Sequence, residues 1–598
     1  METARTAPLS LLVIALATAL TLSACNGGSD TVATGEVTIS HLSAPKSIQK
    51  DALPPAAALP EGIDSLQVSF EDANGNLVYG PIEVPAAPAV TLQNVPLNAR
   101  SATVDYLRNG GFALATDDEP ITWNGASGSA SPVPVAAISS RTQWKAAMGS
   151  DGVASLKVSL NGGPAQDFLA KGVAYSPAPI GFSNKDGPSF GDIFWDTPGG
   201  FLDFDRVWKR DMEQIRSLGF NAVRTYSLIS NFIKNDGSIP SPEEINEPGS
   251  LLVRQHKKFL DEAWNNGVNP IYVIVGIPMP DTIYVKSVFD LPEKAKEIKY
   301  WDDNFTATVA QMKDHPAVIG FTIFNEVGGR CHYADPTPPP PATLNERKCE
   351  GPDDLNLYWQ RIQTYPVHYW NQVQKYADRA KTMAPDKLIG WAFNDDPDFA
   401  SLTVEYRKKH AQSVDFYGVN VFQAEQLNSA LNPWLQANQS DAARPILMTE
   451  YGLPATGHSR SGDPLSIYAD ANTIKRTADA VGKLIPEAFK HPSVTGMFYF
   501  EWSDEWWKQP GDANRKDRQE GTDSSNNFPN GYWDEEGFGL YSIALGDRAA
   551  NQIYTDNLGG KGGNVQVDKL TPRTELLNVV TDAFKNAEKT RQGALGPR

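Results

Sequence analysis

The stretch HPAVIGFTIFNE, residues 315–326, decides how this chain is read. From Val318 to Phe324 it is apolar apart from Thr322, which suits a strand buried on both faces. It then stops on Asn325 and Glu326. A carboxylate set directly after a buried strand is costly unless it is paired or used. The segment PILMTEYG, residues 445–452, has the same design, an apolar run closed by Glu450.

Outward from these two segments, apolar strands alternate with helical patterns, the signature of a parallel α/β architecture. Eight strands are expected at 169–175, 222–226, 270–275, 318–325, 388–393, 416–422, 446–450 and 495–502. Helical patterns lie at 205–218, 251–265, 301–313, 365–384 and 469–489, and a last one at 573–589 is expected to pack on the exterior. Such units predict a (β/α)8 TIM barrel. A doubly wound open sheet is the alternative, but it normally carries a Gly-rich turn after its first strand, and Tyr175-Ser-Pro-Ala-Pro is not one. In barrels the active site sits at the C-terminal ends of the strands. Glu326 and Glu450 therefore fall on one rim, after the fourth and seventh strands. The competing reading of either glutamate alone is a salt bridge on that rim.

Before the barrel the pattern is β-like. SLQVSF at 65–70 alternates with period two, Asn74-Gly75 marks a turn, and ATVDYL at 102–107 reads as a further strand. Residues 36–140 are expected to form a small all-β sandwich, either a carbohydrate-binding module or a spacer, with a Ser/Pro-rich linker from about 125. ASLKVSL at 154–160, Asn161-Gly-Gly and Phe168-Leu-Ala read as a hairpin that leads into the barrel domain, 141–598.

The chain has 598 residues, too many for one ordinary domain, with 41% hydrophobic and 21% charged residues, a globular composition. A net charge of −18 disfavours nucleic acid as a partner. Aromatic residues make up 10%, including 14 Trp, which serve either a large core or the stacking platforms of a sugar cleft.

The N-terminus reads as a targeting segment: Arg5, a short apolar run to Leu22, then Leu22-Ser-Ala-Cys25. This resembles a bacterial lipobox, which implies removal of residues 1–24, lipidation of Cys25 and a tether at 25–35. A plain signal peptide is the alternative. Asn26, not Asp, follows the cysteine, which by resemblance to enterobacterial sorting favours the outer membrane. The membrane is then met only through lipid. Cys331 and Cys349 are left over, and an exported chain is expected to pair them as a disulfide. A metal site of Cys331, His332 and Cys349 lacks the four regularly spaced ligands zinc wants, so no metal is expected, and no cofactor motif is evident.

The segment 315–326 resembles the acid/base signature of clan A glycoside hydrolases, and Thr449-Glu450-Tyr451-Gly452 resembles their nucleophile segment. LNGG at 160–163 with LAKGVAY at 169–175 resembles the opening of the barrel in family 2 β-glycosidases. KGVAY at 171–175, DFYGVN at 415–420 and FEWSDE at 500–505 also resemble the fungal family 72 β-1,3-glucanosyltransferases. The resemblance spans about residues 155–545.

It implies a retaining glycosidase in which Glu326 is the acid/base and Glu450 the nucleophile, acting on an oligo- or polysaccharide. Transfer to a sugar acceptor by the same residues, and a carbohydrate-binding lipoprotein without catalysis, are the alternatives. Asn325 would bind the sugar 2-OH, and Arg224 would hold Glu450 ionised or else form a structural ion pair. Trp502 would floor the sugar site or belong to the core; Trp391, Trp506 and Trp507 are weaker candidates of the same kind. The related pattern has a tyrosine after strand six that bonds the nucleophile, where this chain has Phe422; Tyr226 or Tyr451 could take that place. Glu501 and Glu505 either contact substrate or are solvated.

Overall fold

The computed structural model describes residues 33–40, 65–73, 77–87, 89–108, 112–131, 141–160, 163–178, 183–184, 187–188, 193–195, 205–230, 254–284, 289–326, 366–394, 404, 407–408, 411–437, 444–458, 467–505, 527–544 and 567–596. The lipobox with Cys25, Cys331, Cys349, Trp506, Trp507 and the Asn74-Gly75 turn lie outside these. The chain divides into two compact units. One comprises Met1–Pro60, Leu66–Val104 and Thr116–Pro134; the other comprises Glu61–Ser65, Asp105–Ala115 and Val135–Arg598.

The N-terminal sheets form the expected all-β part. One four-stranded sheet has the order Ala89–Pro96, Thr34–Ser40, Ser127–Ala130, Thr122–Asn124. The other has the order Leu77–Pro85, Ser65–Glu71, Ser101–Arg108, Phe112–Pro120. The alternation in Ser65–Glu71 is real: Leu66, Val68 and Phe70 are fully buried while their neighbours are not. That is what a pleat with one face on a core requires.

The other unit is a closed barrel of parallel strands, in chain order Ala170–Ala174, Ala222–Arg224, Tyr272–Ile277, Val318–Asn325, Leu388–Asn394, Phe416–Val421, Ile446–Tyr451 and Val494–Tyr499. Each falls on an expected strand, displaced by a few residues at most. Strand eight closes the ring on strand one, with Gly172 opposite Phe498. Strand four is buried along its whole length up to Asn325, because helices cover its outer side and the barrel interior its inner side.

Helices Asp205–Ser217, Lys257–Trp264, Ala295–Met312, Pro366–Met383 and Ala471–Lys490 occupy the expected places. The C-terminal helix is two pieces, Thr574–Lys585 and Ala587–Leu595, broken at Asn586, whose side chain donates to Asp582 O. Phe584 packs edge-on against Phe220 and Phe489 on the outside of the barrel. Helix Asn428–Ala437 was not legible, since Pro433 stands inside it.

The barrel floor is the other departure. Ala154–Leu160 does pair briefly with Gln166–Asp167, but its main partner is Thr142–Met148, antiparallel over its full length. The sequence TQWKAAM carries helix formers that hid this strand. Trp144 and Leu156 from this hairpin join Ala170, Ala222, Ile274, Ile319, Leu388, Phe416, Leu447 and Phe498 in one buried cluster. Seven of those eight, all but Phe498, come from the first half of their strands, so the hairpin stoppers the N-terminal end. The buried Lys387 Nζ fastens it, donating to Thr142 Oγ1 (2.8 Å), His315 O (3.0 Å) and Val318 O (2.8 Å).

Candidate active site

The opposite end of the barrel collects the polar strand ends. Strand two finishes on Arg224 and strand four on Asn325, with Glu326 next; Asn420 stands one residue before the end of strand six, and Thr449 and Glu450 just before Tyr451 at the end of strand seven. At the end of strand four, Phe324 (φ 71°) and Glu326 (φ 51°) both sit in the left-handed region. Each such residue costs roughly 1–3 kcal/mol, and such strain clusters at functional sites. The pairing of strands four and five also slips between Thr322 and Asn325. Phe324 is held in a pocket against Tyr284 (5.5 Å) and Tyr369 (6.0 Å), while Asn325 and Glu326 turn toward the mouth.

Arg224 is the hub. It is buried, and its Nη1 donates to Glu450 Oε1 at 2.5 Å and to Thr449 O at 3.2 Å. Its Nη2 donates to Asn325 Oδ1 at 2.6 Å. Burial works against the guanidinium charge, but Tyr226 and Glu450 beside it outweigh that and raise its proton affinity. The Tyr226 hydroxyl donates to the same Glu450 Oε1 at 2.9 Å, and its ring lies 4.5 Å under the guanidinium. Burial, then the Glu450 charge, push the Tyr226 hydroxyl well above its ordinary range, so it remains a donor.

Two donors on Oε1 have a chemical consequence. Among the described residues Glu450 Oε2 has no hydrogen-bond partner, so this buried carboxylate is anchored through one oxygen and presents the other. Asn325 is read the same way. Its Oδ1 accepts from Arg224 and from Asn420 Nδ2 (3.3 Å), which leaves its NH2 group to donate into the open mouth.

Glu326 faces Glu450 in a different state. Its Oε1 accepts from Asn420 Nδ2 at 3.0 Å. Burial, and next the Glu450 charge, raise its pKa to about 7, against the lowering pull of Asn420 and Arg224. Two carboxyl groups in one site, one driven toward the neutral acid and one clamped by a cation and a phenol, form an arrangement that can supply a proton from one and an electron pair from the other.

Of the expected site residues, the fold brings together Glu326, Glu450, Asn325, Arg224 and Tyr226. Tyr226, not Tyr451, bonds Glu450; Tyr451 is fully buried and lies against Tyr499. Two expectations need correction. Trp391 is fully buried against Trp370 and Phe393, on the helix-facing side of strand five. Trp502 is 1% exposed and packs on Tyr541. Alternation along strand five sends the Trp391 indole outward to the helices, and Trp502, three residues past the end of strand eight, folds back into the core against Tyr541. Glu501 and Glu505 are 1% and 6% exposed, hence not solvated.

Three residues were missed. Asn420, almost fully buried, receives the Thr449 hydroxyl on its Oδ1 (2.7 Å) and so points its NH2 at Glu326. The rule that flagged the glutamates, a polar residue closing an apolar strand, flags Asn420 too. Trp533 is partly exposed and wedged edge-on between Phe422 (5.1 Å) and Phe528 (5.1 Å). Its Nε1 donates to Glu535 Oε1 at 3.2 Å, and the Glu535 charge adds to the proton affinity of Glu326. No periodicity marks that loop. Phe422, standing where a tyrosine was expected, is the wall behind Trp533.

No family model matches this sequence, and no curated protein matches it. Among solved structures, the chain is similar to the β-D-glucuronidase of Dictyoglomus thermophilum and to the Ruminococcus gnavus β-glucuronidase. In each case identity is 13%, the TM-score 0.39, and the match covers 88% of this chain and 64% of the other. It is also similar to a GH2 β-galacturonidase from Eisenbergiella tayi bound to galacturonate, at 13% identity and a TM-score of 0.38, over 88% of this chain and 67% of that one. The chain thus spans 64% of the length of the first two.

Proposed function

We propose that the protein is a retaining β-glycosidase acting on a β-linked glycan. The carrying observation is the unequal pair on the barrel rim: Glu326 with a pKa of about 7, and Glu450 anchored through Oε1 alone by Arg224 and Tyr226. In this reading Glu450 Oε2 attacks the anomeric carbon while Glu326 gives its proton to the departing oxygen. The product is a glycosyl ester on Glu450 and a free alcohol. Ester formation removes the Glu450 charge, the Glu326 proton affinity falls, and Glu326 then takes a proton from incoming water, which releases the sugar and restores both groups. Asn325 Nδ2 donates to the sugar 2-OH, a contact that strengthens as the ring flattens. Trp533 takes the platform role first given to Trp391 and Trp502.

A sugar hydroxyl in place of water makes the same site a transglycosylase, as the likeness of residues 415–420 and 500–505 to family 72 suggests. Longer oligosaccharides accumulating at high substrate distinguish transfer from hydrolysis. The deciding experiment is a screen of the purified protein against β-linked glucans, galactans and mannans, with Glu450→Ala alongside. Turnover that Glu450→Ala retains at wild-type level overturns the assignment. Binding without turnover by the wild type points instead to a non-catalytic carbohydrate-binding protein. We further propose export and lipid anchoring at Cys25 in the outer membrane, with a Cys331–Cys349 disulfide, on the sequence features alone.

A further inference from the structure

We propose that His458 and Tyr532 form a subsite that reads a hydroxyl of the pyranose unit on the leaving-group side of the cleaved bond. The inference rests on the glycosidase reading above. His458 stands eight residues beyond Glu450, on a short ribbon in which Gly457–His458 pairs with Ile467–Tyr468. The Tyr532 ring lies flat on its imidazole, centroids 3.6 Å apart and planes within 14°. Tyr532 is partly exposed, while the His458 side chain beneath it is 7% exposed.

Behind them is a built support. Asp534 is fully buried, and its two oxygens are both engaged, Oδ1 with His458 Nε2 at 2.5 Å and Oδ2 with the Thr456 hydroxyl at 2.9 Å. A buried carboxylate is costly, and this one serves to fix the rotation and tautomer of one imidazole. With Nε2 committed to Asp534, Nδ1 is left on the opposite edge. Among the described residues neither His458 Nδ1 nor the Tyr532 hydroxyl has a hydrogen-bond partner. The outcome is a rigid two-ring face with polar atoms on its border, the pairing of apolar surface and a few fixed polar groups that small-ligand sites use. A pyranose presents the complement, with axial C–H groups for the ring face and hydroxyls for the border.

The position follows from chain neighbours. Residues 532–535 are consecutive: Tyr532 stacks on His458, Trp533 packs on Phe422 at the end of strand six, and Glu535 bonds Trp533 Nε1. Glu535 is also close enough for its charge to act on Glu326. Since Glu326 protonates the departing oxygen, this stretch stands on the leaving-group side.

The test compares two substrates of the full chain: the β-glycosyl fluoride of the sugar the screen identifies, which has no sugar on the leaving-group side, and an oligosaccharide of the same sugar. Tyr532→Phe keeps the stack and loses only the hydroxyl; His458→Ala removes the pair. Each is expected to raise KM for the oligosaccharide about fivefold, the worth of one hydrogen bond, with kcat/KM for the fluoride unchanged. An unchanged oligosaccharide KM, or an equal loss on both substrates, overturns the subsite. If His458→Ala melts early, Tyr532→Phe decides alone. A wild type that turns over neither substrate fails the glycosidase reading itself, a result separate from both.

Discussion

The hydroxyl of Tyr226 and the guanidinium of Arg224 share Glu450 Oε1, so the two donors can be separated by mutation. Tyr226→Phe removes a hydrogen bond to a charged group, worth about 1.5–3 kcal/mol, and is expected to lower kcat ten- to hundredfold while the protein stays folded. Steady-state kinetics on an activated aryl glycoside would read this, and an unaltered kcat would remove Tyr226 from nucleophile positioning. In the proposed mechanism Glu326 acts as the protonated acid, and with its pKa at about 7 the rate is expected to fall as pH rises through that value. Glu535→Gln takes away a neighbouring negative charge, eases ionisation of Glu326, and is expected to move the alkaline limb to lower pH; a limb that stays put refutes the coupling. At this scale sequence reasoning found the charged groups, because a carboxylate or guanidinium after an apolar run violates the ordinary rule of burial. It missed Asn420, an uncharged amide whose burial is less costly than a carboxylate's, and Trp533, which owes its place partly to Phe422, far away in sequence.

Elements were legible in proportion to their periodicity. The barrel strands stood out because burial on both faces makes them near-continuous apolar runs. Thr142–Met148 did not, since most of its residues favour helix and its pairing with Ala154–Leu160 makes it a strand. Trp391 and Trp502 were misplaced for a related reason: nearness to the rim states neither which way a strand side chain points, as for Trp391, nor where a strand stops, as for Trp502 beyond Tyr499. The floor hairpin provides a prediction of its own. Lys387 is buried, and burial lowers its pKa from 10.5 to about 7. Between those values the unfolded chain binds more protons than the folded one, so stability rises with pH across that window. Lys387→Met leaves the carbonyls of His315 and Val318 short of a donor and is expected to cost about 1–3 kcal/mol. Its melting temperature should fall further below the wild type as pH climbs from 7 toward 10; parallel melting curves would contradict this.

At the scale of the whole chain, the proposed function has two parts, chemistry at the barrel rim and anchoring through Cys25. Cys25→Ser is expected to abolish labelling by radioactive palmitate in a bacterial host and to release the protein from the membrane fraction, and labelling that persists would rule out Cys25 as the anchor. The barrel itself has one further consequence. With Trp144 and Leu156 packed into its N-terminal end, the barrel leaves the opposite rim, among the described residues, as the face that carries the polar strand ends. In the proposed mechanism the departing fragment and a second sugar acceptor use that same rim, so the first must vacate its place before the second can take it. A slow-departing fragment would then act as its own gatekeeper, holding the glycosylated enzyme until it leaves or recapturing the sugar it has just lost.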